Sequence, residues 1–460
     1  MELELRCQFL SPKIQASSQA RLVYLSLEVL PGSAAVALPL DVSLVIDCSN
    51  SMHILMVSND AFNQLARTGQ IMEVINDGVP AWRIRAGDDR IVSKFPRRID
   101  FVASALKQIA EQLRPIDHYA LIAFAASART LIPNTPGTER QRLYQAAGQL
   151  ERLQLGDETE MADGLALGLE ELSTHEVPGN AKRVILLTDG YTRNVAQCYQ
   201  WAERAKPRGV ALSTLGIGND FNEDLLIPLA DASGGHAYYV EKPEDLPDIL
   251  HQELGIALSI TCRAMTVQLQ LASNVTLRRI HRVLPGVARL EPGANQDGSY
   301  TIPLGDLEAS APPALLLELV LPAVKPGPYH PGQVAISCED ASQPGSRITH
   351  RQVLALQVET DVVEDRQPGI AKMVQKVAAY ELCTRTLAEA TAQDRSNATR
   401  KLQTAATRLL DMNEPSLAGM LLRQAEALEQ RGQVDATITK RLRYDTRSVA
   451  IAGTARAGES

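Results

Sequence analysis

Between residues 39 and 257 short apolar runs alternate with stretches of helical period, the pattern of a mainly parallel sheet covered by helices on both faces. Strands are predicted at Asp41 to Asp47, Tyr119 to Phe124, Val184 to Thr188, Val210 to Leu215 and Ala237 to Val240. Ile99, Val102, Leu106, Ile109 and Leu113 share one helical face, and segments near 162–174, 195–206, 222–232 and 243–256 also read as helices. The expected fold class for this part is a doubly wound α/β domain.

The period changes at residue 258. Met265, Val267, Leu269 and Leu271 alternate with polar residues, and turns recur through LPAVKPGPYHPGQ, which predicts an antiparallel β-sandwich over 258–360. Residues 1–38 carry further strand-like runs, notably Arg21 to Val29, too few to fold alone and expected to complete that sandwich. After Gln367-Pro368 three stripes follow: Ile370, Val374, Val377, Tyr380 and Leu387; Ala398, Leu402, Ala405 and Leu409; Leu417, Leu421, Ala425 and Leu428. They predict a small helical bundle over 366–445 that cannot bury its apolar face alone and packs on another domain or a partner. Small and polar residues make 446–460 an expected flexible tail.

Composition narrows the function. A net charge of -8 argues against a general nucleic-acid binder, which needs clustered Lys and Arg to displace counterions. Cys7, Cys48, Cys198, Cys262, Cys338 and Cys383 form no CxxC pair and read as reduced, mostly buried thiols. MELELRCQFL has charges where a secretory leader would be apolar, and the longest apolar run, Leu315 to Val324, contains Glu318 and Pro322. The expectation is therefore a cytoplasmic chain with no membrane span.

In a doubly wound sheet ligands bind outside the carboxyl ends of the strands. Three polar loops are predicted there: Asp47-Cys48-Ser49-Asn50-Ser51, Gly156-Asp157-Glu158-Thr159 and Thr188-Asp189-Gly190. They supply carboxylates and hydroxyls without sulfur or imidazole, a hard oxygen set that suits Mg²⁺, with Mn²⁺ as the related choice. Taken singly, the first loop could be a helix cap and the third an ordinary turn; their agreement favours a metal site.

DCSNS fits the DxSxS signature of von Willebrand factor type A domains with a metal-ion-dependent adhesion site, and the Thr159 loop and LLTDG follow in the family's order. The stretch TLGIGNDFNEDLLIPLADASGGHAYYV also resembles the last β-α-β segment of bacterial members. The resemblance covers 39–257. It implies that Asp47, Ser49, Ser51 and Thr159 are metal ligands and that Asp189 coordinates directly or through a water. It further implies a non-catalytic interaction module whose open metal position takes an Asp or Glu from a protein partner. Companion Ser/Thr kinases, PP2C-type phosphatases or an AAA+ ATPase served by this chain as an adaptor are the partners that bacterial relatives suggest.

Residues 53–96 depart from the family pattern as an insertion, with a short helix at Ser58 to Arg67 and a hairpin at Met72 to Ile84 around Asn76-Asp77-Gly78. Anchored beside the first loop, it is expected to overhang the site, with Arg83, Arg85, Arg90 and Lys94 as a rim for an acidic partner; a surface hairpin with solvated charges is the alternative. Gly216-x-Gly218 lacks the third glycine of a dinucleotide fingerprint, and Asn219 to Asp224 would repel a pyrophosphate. No nucleophile is paired with a base in the pattern, so no enzyme activity is expected.

Overall fold

The structure is a computed structural model of the chain. It describes residues 3–448 except 34, 58, 77–78, 85–94, 151, 154, 157, 175–176, 296, 340–344, 364 and 390–394. Strands β1 (Leu3–Phe9), β2 (Lys13–Gln15) and β3 (Arg21–Pro31) come first, and the chain then enters the α/β unit at β4 (Leu40–Asp47). Helix α1 (Asn59–Arg67) and the hairpin β5 (Ile71–Asn76) and β6 (Val79–Ile84) form the inserted segment. The unit continues through α2 (Arg98–Gln112), β7 (His118–Phe124), β8 (Ala128–Pro136), α3 (Gln141–Leu150), α4 (Met161–Thr174) and β9 (Ala181–Thr188). It ends with α5 (Val195–Ala205), β10 (Val210–Ile217), α6 (Glu223–Ser233), β11 (Ala237–Val240) and α7 (Leu246–Ala257).

Its sheet has the order β11-β10-β9-β4-β7-β8, parallel throughout except for β8. Every residue of β4 is buried, as both faces of a covered parallel strand require. Leu40, Val42, Leu44 and Ile46 face α2, α3 and α7, while Val45 joins the core beneath α4, α5 and α6. Glycines let α4 lie directly on β4: a Cβ at Gly168 would stand 2.7 Å from Val45 Cγ2, and one at Gly164 3.0 Å from Val45 Cγ1. Strand β8 escapes the periodicity because ARTLIPNTP is a half-exposed antiparallel edge containing two prolines.

The remaining strands are β12 (Ile260–Leu271), β13 (Thr276–Leu284), β14 (Ala288–Leu290), β15 (Gly293–Ala294), β16 (Tyr300–Glu308), β17 (Ala314–Leu321), β18 (Gly327–Glu339) and β19 (Arg347–Glu359). They form two sheets, β1-β3-β17-β13-β14 and β15-β16-β12-β18-β19-β2, antiparallel apart from the β2–β19 pair. Leu25, Leu27, Leu317 and Leu319 of the first meet Val267, Leu269, Val334 and Ile336 of the second in one core. The expectation of six reduced thiols needs correction. Cys262 on β12 and Cys338 on β18 are joined as a disulfide, their Cα atoms 6.2 Å apart. Neighbouring antiparallel strands bring them together across 76 residues of sequence, a pairing no local spacing reveals.

Four helices close the described chain: α8 (Pro368–Glu389), α9 (Arg395–Asp411), α10 (Pro415–Arg431) and α11 (Ala436–Ser448). Ile370, Met373 and Val377 of α8 pack on Val283, Val287, Ala314 and Leu316 of the first two-sheet layer. Helix α11 runs through residues expected to begin a tail, and it docks on the α/β unit through Tyr444, buried beside Phe221 and Tyr239, and through cations. Lys440 donates to the carbonyls of Asn219 and Phe221 at 2.7 Å each, and Arg447 shares Asp231 with Arg282 at 2.6 and 2.8 Å. Among the described residues no helix is long and apolar enough to cross a membrane.

Where the α/β unit meets the two sheets, Arg183 of β9 is wholly buried between Glu253 of α7 at 2.8 Å and Glu308 of β16 at 2.5 Å. His236 bridges the same two carboxylates at 2.9 and 3.1 Å. Burial alone would push His236 down, but Glu308 and Glu253 outweigh it and raise the imidazole to about 9. Burial opposes ionisation of Glu253 in turn, yet His236 and Arg183 bring it down to about 2.

Two outcomes follow for denaturant and thermal melts. Arg183→Met strands two buried carboxylates and destabilises the fold by about 3–5 kcal/mol. Stability from His236 is fully present below its unfolded value near 6.5 and is lost as pH rises through about 9. The wild-type melting temperature therefore falls more steeply between those values than that of His236→Asn.

Candidate metal centre

The site is built at the carboxyl edge of the sheet, where β4 and β9 lie side by side and consecutive strands leave in opposite directions. Asp47 is the last residue of β4 and Thr188 the last of β9, so the two are lateral neighbours, and Thr188 Oγ1 donates to Asp47 Oδ2 at 2.6 Å. The chain then turns back on itself, and the Ser49 amide donates to Asp47 Oδ1 at 2.9 Å. Ser49 Oγ and Ser51 Oγ are 2.9 Å apart, and Ser51 Oγ donates to Asp189 Oδ1 at 2.6 Å. Four of the five residues read from the sequence thus form one connected chain.

Thr159 arrives from the loop before α4. The Glu160 amide bonds the Ala125 carbonyl at 2.7 Å, tying that loop to the end of β7, and the tight seat of α4 fixes its height. Thr159 stands beside the Asp189 loop: a Cβ added to Gly190 would lie 3.1 Å from Thr159 Oγ1. Glycine at 190 is what lets the threonine hydroxyl come in.

The electrostatics are those of an anionic pocket. Asp47 and Asp189 are both buried, and burial together with the Asp189 charge pushes the Asp47 carboxyl up to about 6, against the hydrogen bonds from Thr188 and Ser49. Cys48 is buried, its thiol raised well above the ordinary value by burial and by Asp47, so it contributes no reactive thiolate. Among the described residues no three His, Cys, Asp or Glu side chains gather closely enough to hold a metal. The donors here are two carboxylates and three hydroxyls, a hard oxygen set with the chemistry Mg²⁺ or Mn²⁺ takes.

One participant escaped the sequence reading. Arg98, the first residue of α2, places Nη1 2.5 Å from Asp189 Oδ2. The signal was available: in a β-α-β crossover the helix begins on the same side as the strand ends, so first-turn residues of α2 border the site. The rim residues fared differently. Arg83 lies on β6, whose side chains are not described, and Arg85, Arg90 and Lys94 fall outside the described residues.

Residues 92–252 match the family described as von Willebrand factor type A domain. The chain carries a von Willebrand factor type A domain. The matched segment begins downstream of Asp47, Ser49 and Ser51. Residues 368–451 match the Sll0103-like, C-terminal alpha-helical domain. The Synechocystis protein named uncharacterized protein sll0103 is 26% identical over 317 residues, covering 67% of this chain and 74% of its own length. Protein YfbK of Escherichia coli, likewise named uncharacterized, is 26% identical over 230 residues, 49% of this chain and 39% of its own length. A solved von Willebrand factor type A protein from Catenulispora acidiphila superposes with a TM-score of 0.72 at 17% identity, with 97% of each chain covered. The type A domain and the parts around it are thus shared in fold with that structure.

The buried like-charge pair makes a stability prediction for the metal-free protein. Asp47's rise from 3.8 to about 6 means that its ionisation opposes folding at neutral pH, a penalty fully present above about pH 6 and relieved as pH falls toward 3.8. Asp47→Asn, melted in EDTA at pH 7, is therefore more stable than wild type by up to about 2–3 kcal/mol.

Proposed function

We propose that the chain is a divalent-cation-dependent protein-interaction module. Asp47, Ser49, Ser51 and Thr159 would hold Mg²⁺, with Asp189 coordinating directly or through a water. When bound, the ion supplies a hard Lewis-acidic position that a carboxylate can fill. The partner presents that carboxylate as an Asp or Glu side chain, and the residues around the site select its shape. The observation that carries this reading is the unbroken chain of contacts from Thr188 through Asp47, Ser49 and Ser51 to Asp189, with Thr159 alongside.

The chain's own residues do three things in this scheme. Thr188 and the Ser49 amide aim the Asp47 carboxylate, Asp189 holds the Ser51 hydroxyl, and Gly190 leaves room for Thr159. The two sheets brace the domain at the opposite edge through Glu308, and the last helix holds the loop after β10 through Lys440. A sandwich arrangement for 258–360 belongs to the same proposal, as a rigid support that leaves the metal edge facing outward. Binding rather than catalysis is favoured because the polar groups of the site are committed to one another and to the ion.

The test is thermal unfolding with and without Mg²⁺. At about a hundred times its dissociation constant the ion stabilises the fold by about 2.7 kcal/mol. That gain is absent in Asp47→Asn and Thr159→Ala, so Asp47→Asn is the more stable protein in EDTA and loses its lead in Mg²⁺. An equal melting temperature in EDTA and in millimolar Mg²⁺ for wild type overturns the reading.

A further inference from the structure

Arg98 sits where helix electrostatics disfavour it. It opens α2, at the positive end of the helix dipole, and follows another arginine, Arg97. Arg97 is satisfied locally, its guanidinium and its backbone amide both held by Asp100, the acidic residue of that first turn. Arg98 reaches away from its own helix to the end of β9, where Nη1 meets Asp189. On the far side of the guanidinium lies Gly218, at the end of β10: a Cβ there would stand 3.1 Å from Arg98 Nη2. Gly218, at a φ of +69°, thus makes room for the arginine, which gives the second glycine of the Gly216-x-Gly218 pair a role unrelated to nucleotides.

The guanidinium offers five N–H donors, and Asp189 takes one of them; no other hydrogen bond of this group is recorded among the described residues. Its side chain is 23% exposed, whereas that of Asp189 is fully buried, so the cation is the part of the pair that solvent and a visitor can reach. A single carboxylate separates it from Ser51: Oδ2 of Asp189 faces Arg98 and Oδ1 faces Ser51. The charges add as follows. Asp47 and Asp189 give two negative charges, which a divalent ion cancels, and Arg98 leaves the loaded site one unit positive. Without the ion the same three side chains leave it one unit negative.

We propose that Arg98 is the second receptor for the partner's carboxylate, a proposal that rests on the metal reading above. One carboxylate oxygen takes the open position of the ion and the other takes N–H groups of Arg98, whose planar fork suits that geometry. Arg98 is therefore a specificity-determining residue. Asp47 and Asp189 make the empty site repel acidic partners, and Arg98 gives the loaded site the net positive charge that attracts them, so that metal loading changes the sign of the surface the partner meets.

The test separates metal affinity from carboxylate affinity. Mn²⁺ binding is measured by electron paramagnetic resonance, and acetate binding to the Mn²⁺-saturated protein by paramagnetic relaxation of the acetate protons. In Arg98→Gln, Mn²⁺ binds more tightly because a like charge has gone, while acetate at Mn²⁺ saturation binds about tenfold more weakly. Arg98→Lys keeps the charge without the fork and gives a smaller loss, about threefold; circular dichroism checks that both variants fold, and the lysine variant carries the test if the glutamine one does not. An unchanged acetate affinity at Mn²⁺ saturation overturns the role of Arg98 and leaves the metal reading standing. A wild-type protein that binds no Mn²⁺ overturns the metal reading and this proposal with it.

Discussion

Two carboxylates placed where water cannot solvate them dominate this molecule. Asp47 ends β4 and Asp189 follows the end of its neighbour β9, in a sheet buried on both faces, and the groups that approach them are hydroxyls, one backbone amide and one arginine. The raised Asp47 carboxyl marks the ionised pair as costly in the metal-free protein. Keeping the pair makes sense when a cation is part of the working state. Much of the surrounding construction serves to hold the loops that present the pair, from the glycine seat of α4 to the anchoring of Glu160 on Ala125.

The α/β unit was legible in the sequence because parallel strands covered on both faces leave near-continuous apolar runs such as LDVSLVID, and because its helices are long enough to show a period. Four of the five site residues proved linked by hydrogen bonds because their positions follow from strand ends alone. Arg98 was not read, since a lone basic residue at a helix start carries no periodic signal and its partner lies 91 residues on. The Cys262–Cys338 bond was hidden for the same reason: it depends on which strands become neighbours. Helix α11 was missed as an element of its own because its few apolar residues in ATITKRLRYDTRS serve two different cores, Ile438 and Leu442 that of the helices and Tyr444 that of the α/β unit, while Lys440 binds carbonyls.

Buried charge also fastens the parts of the chain to one another. Arg183, His236, Glu253 and Glu308 join the α/β unit to the two sheets at the edge opposite Asp47 and Asp189. Asp231 receives Arg282 from the sheets and Arg447 from the last helix, so one carboxylate touches all three regions. Contacts of this kind are strongly directional, and they fix relative orientation where a purely apolar seam would tolerate sliding. The cost is sensitivity to the loss of any single member.

The path of the backbone adds a constraint of its own. Strand β3 lies between β1 and β17, with Leu25 opposite Leu317, so the type A domain is an excursion out of a structure already begun and later resumed. The excursion leaves and returns at one place, where the Leu38 amide bonds the Ile260 carbonyl, and β4 runs from there toward Asp47. During synthesis the first strands must wait, with unsatisfied edges, until the whole excursion and then β17 have been made, an arrangement that makes assembly slow and exposes it to mispairing. What that delay secures is a domain tethered by both ends at its base, which cannot swing away on a flexible stalk.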